Sequence, residues 1–237
     1  ALTVILKKKM GISVSRQDFR PRREATGQIV RIGLPIALQD GLIQVAFIII
    51  TIIANRRGLS DAAAVGIVEK IISFLFLVPS SMLSAVSALG AQNIGAGKPE
   101  RAVRTLYYSI GITVGFGVII SIIIQFVAAP VVGLFTADAA VVVLGTQYIR
   151  GYIWDCIFAG IHFSFSGYFC AIGRSELSFI HNITAIVLVS VPGVYLTSKL
   201  FPDTLFPMGL ATVAGSLTSV VICLIAFHIL KRQKKVA

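Results

Sequence analysis

No Asp, Glu, Lys or Arg occurs between residues 105 and 137, and five further apolar stretches of similar character accompany that one. Crossing ~30 Å of hydrocarbon takes about 20 apolar residues at 1.5 Å rise each. A soluble core helix has no use for such lengths. The pattern predicts an all-α, polytopic membrane protein: a lobe of six transmembrane helices at about 29–54, 62–94, 106–126, 150–172, 177–198 and 205–230. Pro130 and Gly133 are expected beyond the end of the third span, and residues 138–149 to form a short amphipathic helix lying in the membrane interface. A hydrophobic fraction of 56%, 13% charged residues and a mean hydropathy of +0.90 exclude a soluble domain or a disordered chain.

The ends are read from charge. Residues 1–6 are apolar and are followed at once by Lys7, Lys8 and Lys9, as in the last turns of a preceding membrane helix. Residues 7–28 then read as a cytoplasmic linker, 29–230 as the six-helix lobe and 231–237 as a cytoplasmic tail. The net charge of +11 would suit a nucleic-acid partner. The basic residues, however, sit in the connections and at the ends, with no interleaving of basic and aromatic residues, so no nucleic-acid partner is expected. On one side of the predicted bilayer fall Lys7, Lys8, Lys9, Arg16, Arg20, Arg22, Arg23, Lys98, Arg101, Arg104, Arg174, Lys231, Arg232, Lys234 and Lys235; on the other, Arg56, Arg57 and Lys199. Basic loops stay in the cytoplasm, which puts both termini there and the loops 55–61, 127–149 and 199–204 outside. Arg56 and Arg57 are the local exception. Trp154 and Tyr152 would then belong to the outer aromatic belt and Tyr107 and Tyr108 to the inner one. Cys156, Cys170 and Cys223 lie in apolar spans without metal-ligand or redox spacing and read as small buried hydrophobes.

An ionisable residue inside a span costs ~2.5–3.5 kcal/mol on insertion scales and is a functional candidate. Asp40 lies near mid-depth of the first span, with Gln44 one turn on and Thr51 continuing the same face. Pro35 before it frees a carbonyl, an irregularity suited to a cavity wall. Asp40 is either a protonatable or cation-attracting cavity residue or a structural hydrogen bond between packed helices. The fourth span carries a second stripe, Tyr148, Tyr152, Asp155, His162 and Ser166. Asp155, placed in the outer third, would neutralise an organic cation whose charge the tyrosine rings also attract; alternatively it pairs with Arg150. His162 is a site residue or a satisfied interhelical donor. Glu69 reads as structural, heading a stripe with Ser73, Ser80, Ser84 and Ser87 that permits close helix packing, while Lys70 snorkels outward. His181 and Asn182 read as helix-end contacts near Arg174 and Glu176.

Between the second and third spans stands Gln92-Asn93-Ile94-Gly95-Ala96-Gly97-Lys98-Pro99-Glu100-Arg101-Ala102. Glycines at 95 and 97 allow a tight turn with positive φ after a helix, Pro99 can open the next helix, and Arg101 holds that end in the cytoplasm. The Gly95-x-Gly97-Lys98 spacing lacks the second half of a phosphate-binding loop. This loop resembles the cytoplasmic loop in each half of multidrug and toxic compound extrusion (MATE) transporters. Four more stretches fall in matching order: Gly33-Leu34-Pro35-Ile36-Ala37-Leu38-Gln39, Ala64-Val65-Gly66-Ile67, Tyr148-Ile149-Arg150 and Ala171-Ile172-Gly173-Arg174.

The resemblance implies the C-terminal half, helices seven to twelve, of a twelve-helix transporter whose other six-helix lobe precedes it. Two such lobes around a cavity would export organic cations or other amphiphiles against inward protons or sodium. It implies a plasma-membrane location, no enzymatic activity, and no cofactor or metal beyond the coupling ion. In the NorM-like branch an acid lies about two turns after the proline of this lobe's first helix; Ile43 stands there, and Asp40 lies earlier. Asp155 also falls about a turn from that branch's carboxylate. The pattern resembles the DinF-like branch, whose coupling acid is in the missing N-terminal lobe. The alternatives are a flippase for lipid-linked precursors or polysaccharides in the same superfamily, which usually carries several cavity cations, and a six-helix channel or membrane enzyme. An enzyme would need a nucleophile or metal-ligand cluster that the sequence lacks.

Overall fold

The computed structural model describes residues 23–236; the proposed helix remnant at 1–6, most of the linker and the last residue of the tail lie outside them. The described residues form α1 (Arg23–Asn55), α2 (Leu59–Leu75), α3 (Leu77–Gly95), α4 (Pro99–Gly133), α5 (Ala139–Tyr152), α6 (Asp155–Ala171), α7 (Ser175–Ala185), a π-helical turn (Ile186–Ser190), α8 (Val191–Leu200) and α9 (Phe206–Val236). Five stretches are long and apolar enough to cross a membrane: Gly33–Asn55, Leu59–Gly95, Pro99–Gly133, Ser175–Leu200 and Phe206–Gln233. The α5–α6 pair supplies the remaining path across the lobe.

Each break has a local cause. Pro79 lacks an N–H, and its ring crowds the carbonyl four residues back. The chain responds with a turn at Phe76, which donates to the Ile72 carbonyl (2.8 Å) and accepts from Ser80 N–H (3.0 Å). Pro192 acts likewise on α7–α8, where the backbone widens into the π-helical turn just before it. No proline accounts for the turn at Ile153 and Trp154. There Cys156 N–H tightens to the Ile153 carbonyl (3.0 Å). Side chains of α4 serve the exposed carbonyls: Ser121 donates to Ile153 (3.1 Å) and Gln125 to Arg150 (3.0 Å).

The interfacial placement of 138–149 is therefore corrected. Asp138 caps α5 by accepting from Ala140 N–H (2.9 Å), and the helix then buries Val141, Gly145, Tyr148 and Ile149 against α2, α4 and α9. It is a half-span inside the lobe, because its apolar face has protein on three sides. Consequently Asp155 stands halfway along the Ala139–Ala171 path rather than in its outer third, and Tyr152 is a core residue rather than a belt residue. The expected outer loop 127–149 shrinks to 134–138, since α4 continues through Pro130 to Gly133.

α6 is the central post, packed against α3, α4, α7 and α9 and buried along nearly its whole length. Between helices in lipid there is little hydrophobic gain, so association rests on close approach of backbones. Gly160 lies so near α4 that a Cβ would meet Thr113 at 2.6 Å, and Gly167 so near α3 that one would meet the Leu83 carbonyl at 2.5 Å. Small residues thus do the packing here. Ser73, Ser80 and Ser84 are exposed instead, with their hydroxyls donated to carbonyls of their own helix. Two apolar cores result, one around Ile72, Tyr148, Ile153 and Met208, the other around Leu106, Phe165 and Phe169. The three cysteines are buried and free, as expected.

Both tight helix ends use a left-handed glycine. Gly97 has φ 71° and Gly173 φ 74°. In each case the following N–H reaches back to a helix carbonyl, Lys98 to Asn93 and Arg174 to Phe169, both at 2.8 Å. Gly95 differs from expectation: it is the last residue of α3 and needs no positive φ. Gln92 and Asn93 lie in that last turn, where Asn93 donates to the Leu89 carbonyl (2.7 Å), Pro99 opens α4, and Arg101 is exposed.

Candidate functional site

The two cores part along α6 between Cys156 and Phe165, and a cavity of about 90 Å³ occupies the gap. α6 contributes Asp155 and His162, α5 Tyr152, α7 Asn182, the π-helical turn Ser190, and α9 Thr212 and Ser216. Apolar residues of α1, among them Ile43, Phe47 and Ile50, close its remaining side. Asp155, His162 and Asn182 are only 4%, 6% and 5% exposed. Each nevertheless has a buried polar atom without a hydrogen-bond partner: Asp155 Oδ1, His162 Nδ1 and Asn182 Nδ2. An orphaned buried group costs about 1–3 kcal/mol, more when charged, and three facing one cavity point to a polar occupant. The volume holds several waters or a partly hydrated ion. The alternative pairing of Asp155 with Arg150 is absent: Arg150 is exposed, and Ser216 is the carboxyl's polar neighbour.

Below the cavity, polar contacts continue into the second core. The rings of His162 and His181 meet edge to face at 5.6 Å between centroids. His181 Nε2 pairs with Ser166 (2.9 Å) and Nδ1 with Ser219 (3.2 Å). His181 and Asn182 are therefore internal groups of α7, not helix-end contacts.

A second polar place is an open groove of about 370 Å³ between α1 and α2, bordered by Gln44, Thr51, Glu69, Lys70 and Ser73. Thr51 donates both to the Phe47 carbonyl (2.9 Å) and to Glu69 Oε2 (3.1 Å), while Oε1 is buried and unpartnered. Tyr148 and Tyr152, with ring centroids 5.6 Å apart, lie within electrostatic reach of both this carboxylate and Asp155.

The predicted residues thus divide. Tyr152, Asp155 and His162 come together in the cavity; Gln44 and Thr51 join the groove instead. Asp40 is exposed on α1, lines neither, and bonds to no described side chain. Sequence reading missed Asn182, Ser190, Thr212 and Ser216. Thr212, Ser216 and Ser219, spaced by four and three in an apolar span, were a legible stripe. Among the described residues no group of three His, Cys, Asp or Glu side chains forms a metal cluster.

The MatE family model matches residues 35–196. The chain is 31% identical over 121 residues to the probable multidrug resistance protein NorM of Aromatoleum aromaticum, a match covering 51% of this chain and 26% of that protein. It is 25% identical over 192 residues to the multidrug export protein MepA of Staphylococcus aureus, covering 80% and 42%. A multidrug resistance MATE family transporter of the MOP superfamily, solved in an outward-facing conformation, superposes with a TM-score of 0.89 at 19% identity, covering 99% of this chain and 52% of that one. The chain spans about half or less of the length of the proteins it matches. On the extent of the family match, this chain belongs to the MATE family, whose members are transporters and not enzymes.

Proposed function

We propose that this chain forms the C-terminal lobe of a multidrug exporter and holds the coupling ion, a proton or sodium, at Asp155. The observation that carries the reading is a small cavity lined by three buried residues with orphaned polar atoms, Asp155 Oδ1, His162 Nδ1 and Asn182 Nδ2. An ionised, empty Asp155 needs water, which favours a cavity opened along its apolar α1 wall. A proton or a cation on the carboxylate removes that need and lets the wall close. The oxygens of Asp155, Ser190, Thr212 and Ser216 suit a hard monovalent cation as well as a hydrated proton. Glu69 with Gln44 and Thr51 would meet cationic substrate in the groove.

Exposed faces support a missing second lobe. Between residues 107 and 126 the exposed side of α4 is apolar, aromatic or glycine, fit for lipid. The exposed sides of α1–α3 carry Asp40 and Gln44, whose polar groups lipid would not solvate, beside serines whose hydroxyls bond their own helix. A water-filled cavity shared with another bundle would solvate them. The excess of basic residues in the connections at one end supports an orientation with both ends of this lobe cytoplasmic, and we assign the transporter to the plasma membrane.

The test uses the full-length protein in proteoliposomes, loaded with a fluorescent organic cation and given a proton or a sodium gradient. Asp155→Asn should abolish gradient-driven export while leaving expression and substrate binding near normal. Undiminished coupled export by that variant would overturn the assignment.

A further inference from the structure

At the basic end of the lobe, away from both polar places, a cleft of about 520 Å³ opens between the α3–α4 turn, the end of α6 and the end of α9. Its floor is apolar: Val103, Tyr168, Ile172 and Phe227. Its rim carries Arg174 and Lys231 opposite Glu100. Among the described residues Arg174 makes one ion pair, with Glu176 at 3.7 Å and both side chains about half exposed (49% and 46%), and Lys231 makes none; Glu100 shares the rim without pairing to either. The surrounding described surface adds Lys98, Arg101, Arg104 and Arg232. Tyr107 and Tyr108, 54% and 72% exposed on α4, mark the level of the membrane interface, and Tyr107 touches Phe227, its ring edge-on at 6.5 Å.

Val103 lies one turn beyond Pro99 and Phe227 one turn before Lys231, so the floor sits about 6 Å deeper in the membrane than the charged rim. Positive charge at headgroup level above an apolar slot is the order of a phospholipid: phosphate, glycerol, then acyl chain. The chain's own linker is a poor occupant, because residues 7–22 hold Lys7, Lys8, Lys9, Arg16, Arg20 and Arg22 against one acid, Asp18. We propose that this cleft seats the headgroup of an anionic phospholipid from the adjoining leaflet, with Arg174 and Lys231 on its phosphate. The site is independent of which ion drives export and of which leaflet the basic end faces.

Native mass spectrometry of the purified full-length protein, released from micelles with added phosphatidylglycerol or phosphatidylcholine of identical chains, counts the bound lipid. The wild type should retain phosphatidylglycerol about tenfold more readily. Arg174→Gln with Lys231→Gln should abolish the preference. Arg101→Gln with Arg104→Gln removes the same charge outside the cleft and should leave it intact. Val103→Trp, which fills the floor without touching charge, should also lose the lipid. Equal retention of the two lipids by the wild type would overturn the proposal. So would equal loss in the Arg101/Arg104 pair, which would mean a diffuse basic surface. Displacement by soluble glycerol phosphate would overturn the commitment to a lipid.

Discussion

Removing the Arg57 side chain should cost the lobe more stability than any other single charge change at the end where α1 meets α2. Arg57, in the connection between α1 and α2, donates to the carbonyls of Ser198 (3.2 Å), Phe201 (3.0 Å), Pro202 (2.6 Å) and Thr204 (3.3 Å) and pairs with Asp61 (3.2 Å). These carbonyls belong to the end of α8 and the turn into α9, where a helix leaves its last acceptors unserved. One guanidinium thus fastens the first two crossings to the last two. Charged hydrogen bonds contribute about 1.5–3 kcal/mol when well formed. The bonds to Phe201 and Pro202 are exposed and are discounted heavily, while those to Ser198 and Thr204 are long. A total near 3 kcal/mol for Arg57→Ala is a fair order of magnitude, or about 6–12 °C in Tm for a lobe of this size. Arg57→Lys keeps the charge but not the fork and should recover about a third of the loss. Arg56→Ala, an exposed neighbour, should stay within about 0.5 kcal/mol. Thermal melting of the detergent-purified protein reads all three. An Arg57→Ala variant melting within about a degree of wild type would refute the reasoning, since water would then serve those carbonyls equally well.

Single cysteines at Ser60 and Asp203 should react with an impermeant thiol reagent on intact cells and one at Lys98 should not; the reverse pattern would invert the topology. Tyr148→Phe removes a buried hydroxyl without a partner and should leave the Tm unchanged or raise it by the equivalent of about 1 kcal/mol, where a drop would reveal a hidden partner. Asp40→Asn should leave coupled export largely intact, because Asp40 is exposed outside the cavity; its loss with normal folding would move coupling to α1.

The lobe's gross architecture was legible because span length and loop charge are one-dimensional properties. Where the structure departs, the reason lies in three-dimensional partners. The stretch 138–149 reads as amphipathic, and nothing local says that its apolar side meets α2, α4 and α9 rather than lipid. That one misplacement carried Asp155 towards the surface and Tyr152 into the aromatic belt. Asp155 and His162 were visible as ionisable groups on one stripe, whereas Asn182 looked like a helix-end residue. Its depth is set by α7 starting at Ser175 beside the end of α6. Asp40 shows a limit of another kind: depth along a helix is readable, whereas what its exposed face meets is not. The exception of Arg57 to the charge rule also resolves in space, since its head is spent on carbonyls of another connection.

Within the proposed function, the placement of the two carboxylates bears on coupling. Glu69 borders the groove and Asp155 the cavity, Phe47 lines both, and Tyr152 lines the cavity with Tyr148 packed against it. Both tyrosines are within electrostatic reach of both acids. Those two buried rings are therefore where, in this proposal, a charge at one site is felt from the other. A cation or proton arriving at Asp155 lowers the negative field in which a cationic substrate is held at Glu69. By reciprocity, substrate at Glu69 weakens ion binding at Asp155. Mutual antagonism of this kind is what an exchanger requires, and it needs no movement of the tyrosines. The Phe76 ring, edge-on to Tyr152 at 6.5 Å and to Phe163 at 6.4 Å, continues the cavity lining into the turn between α2 and α3, so a shift of that turn would reach the Asp155 site.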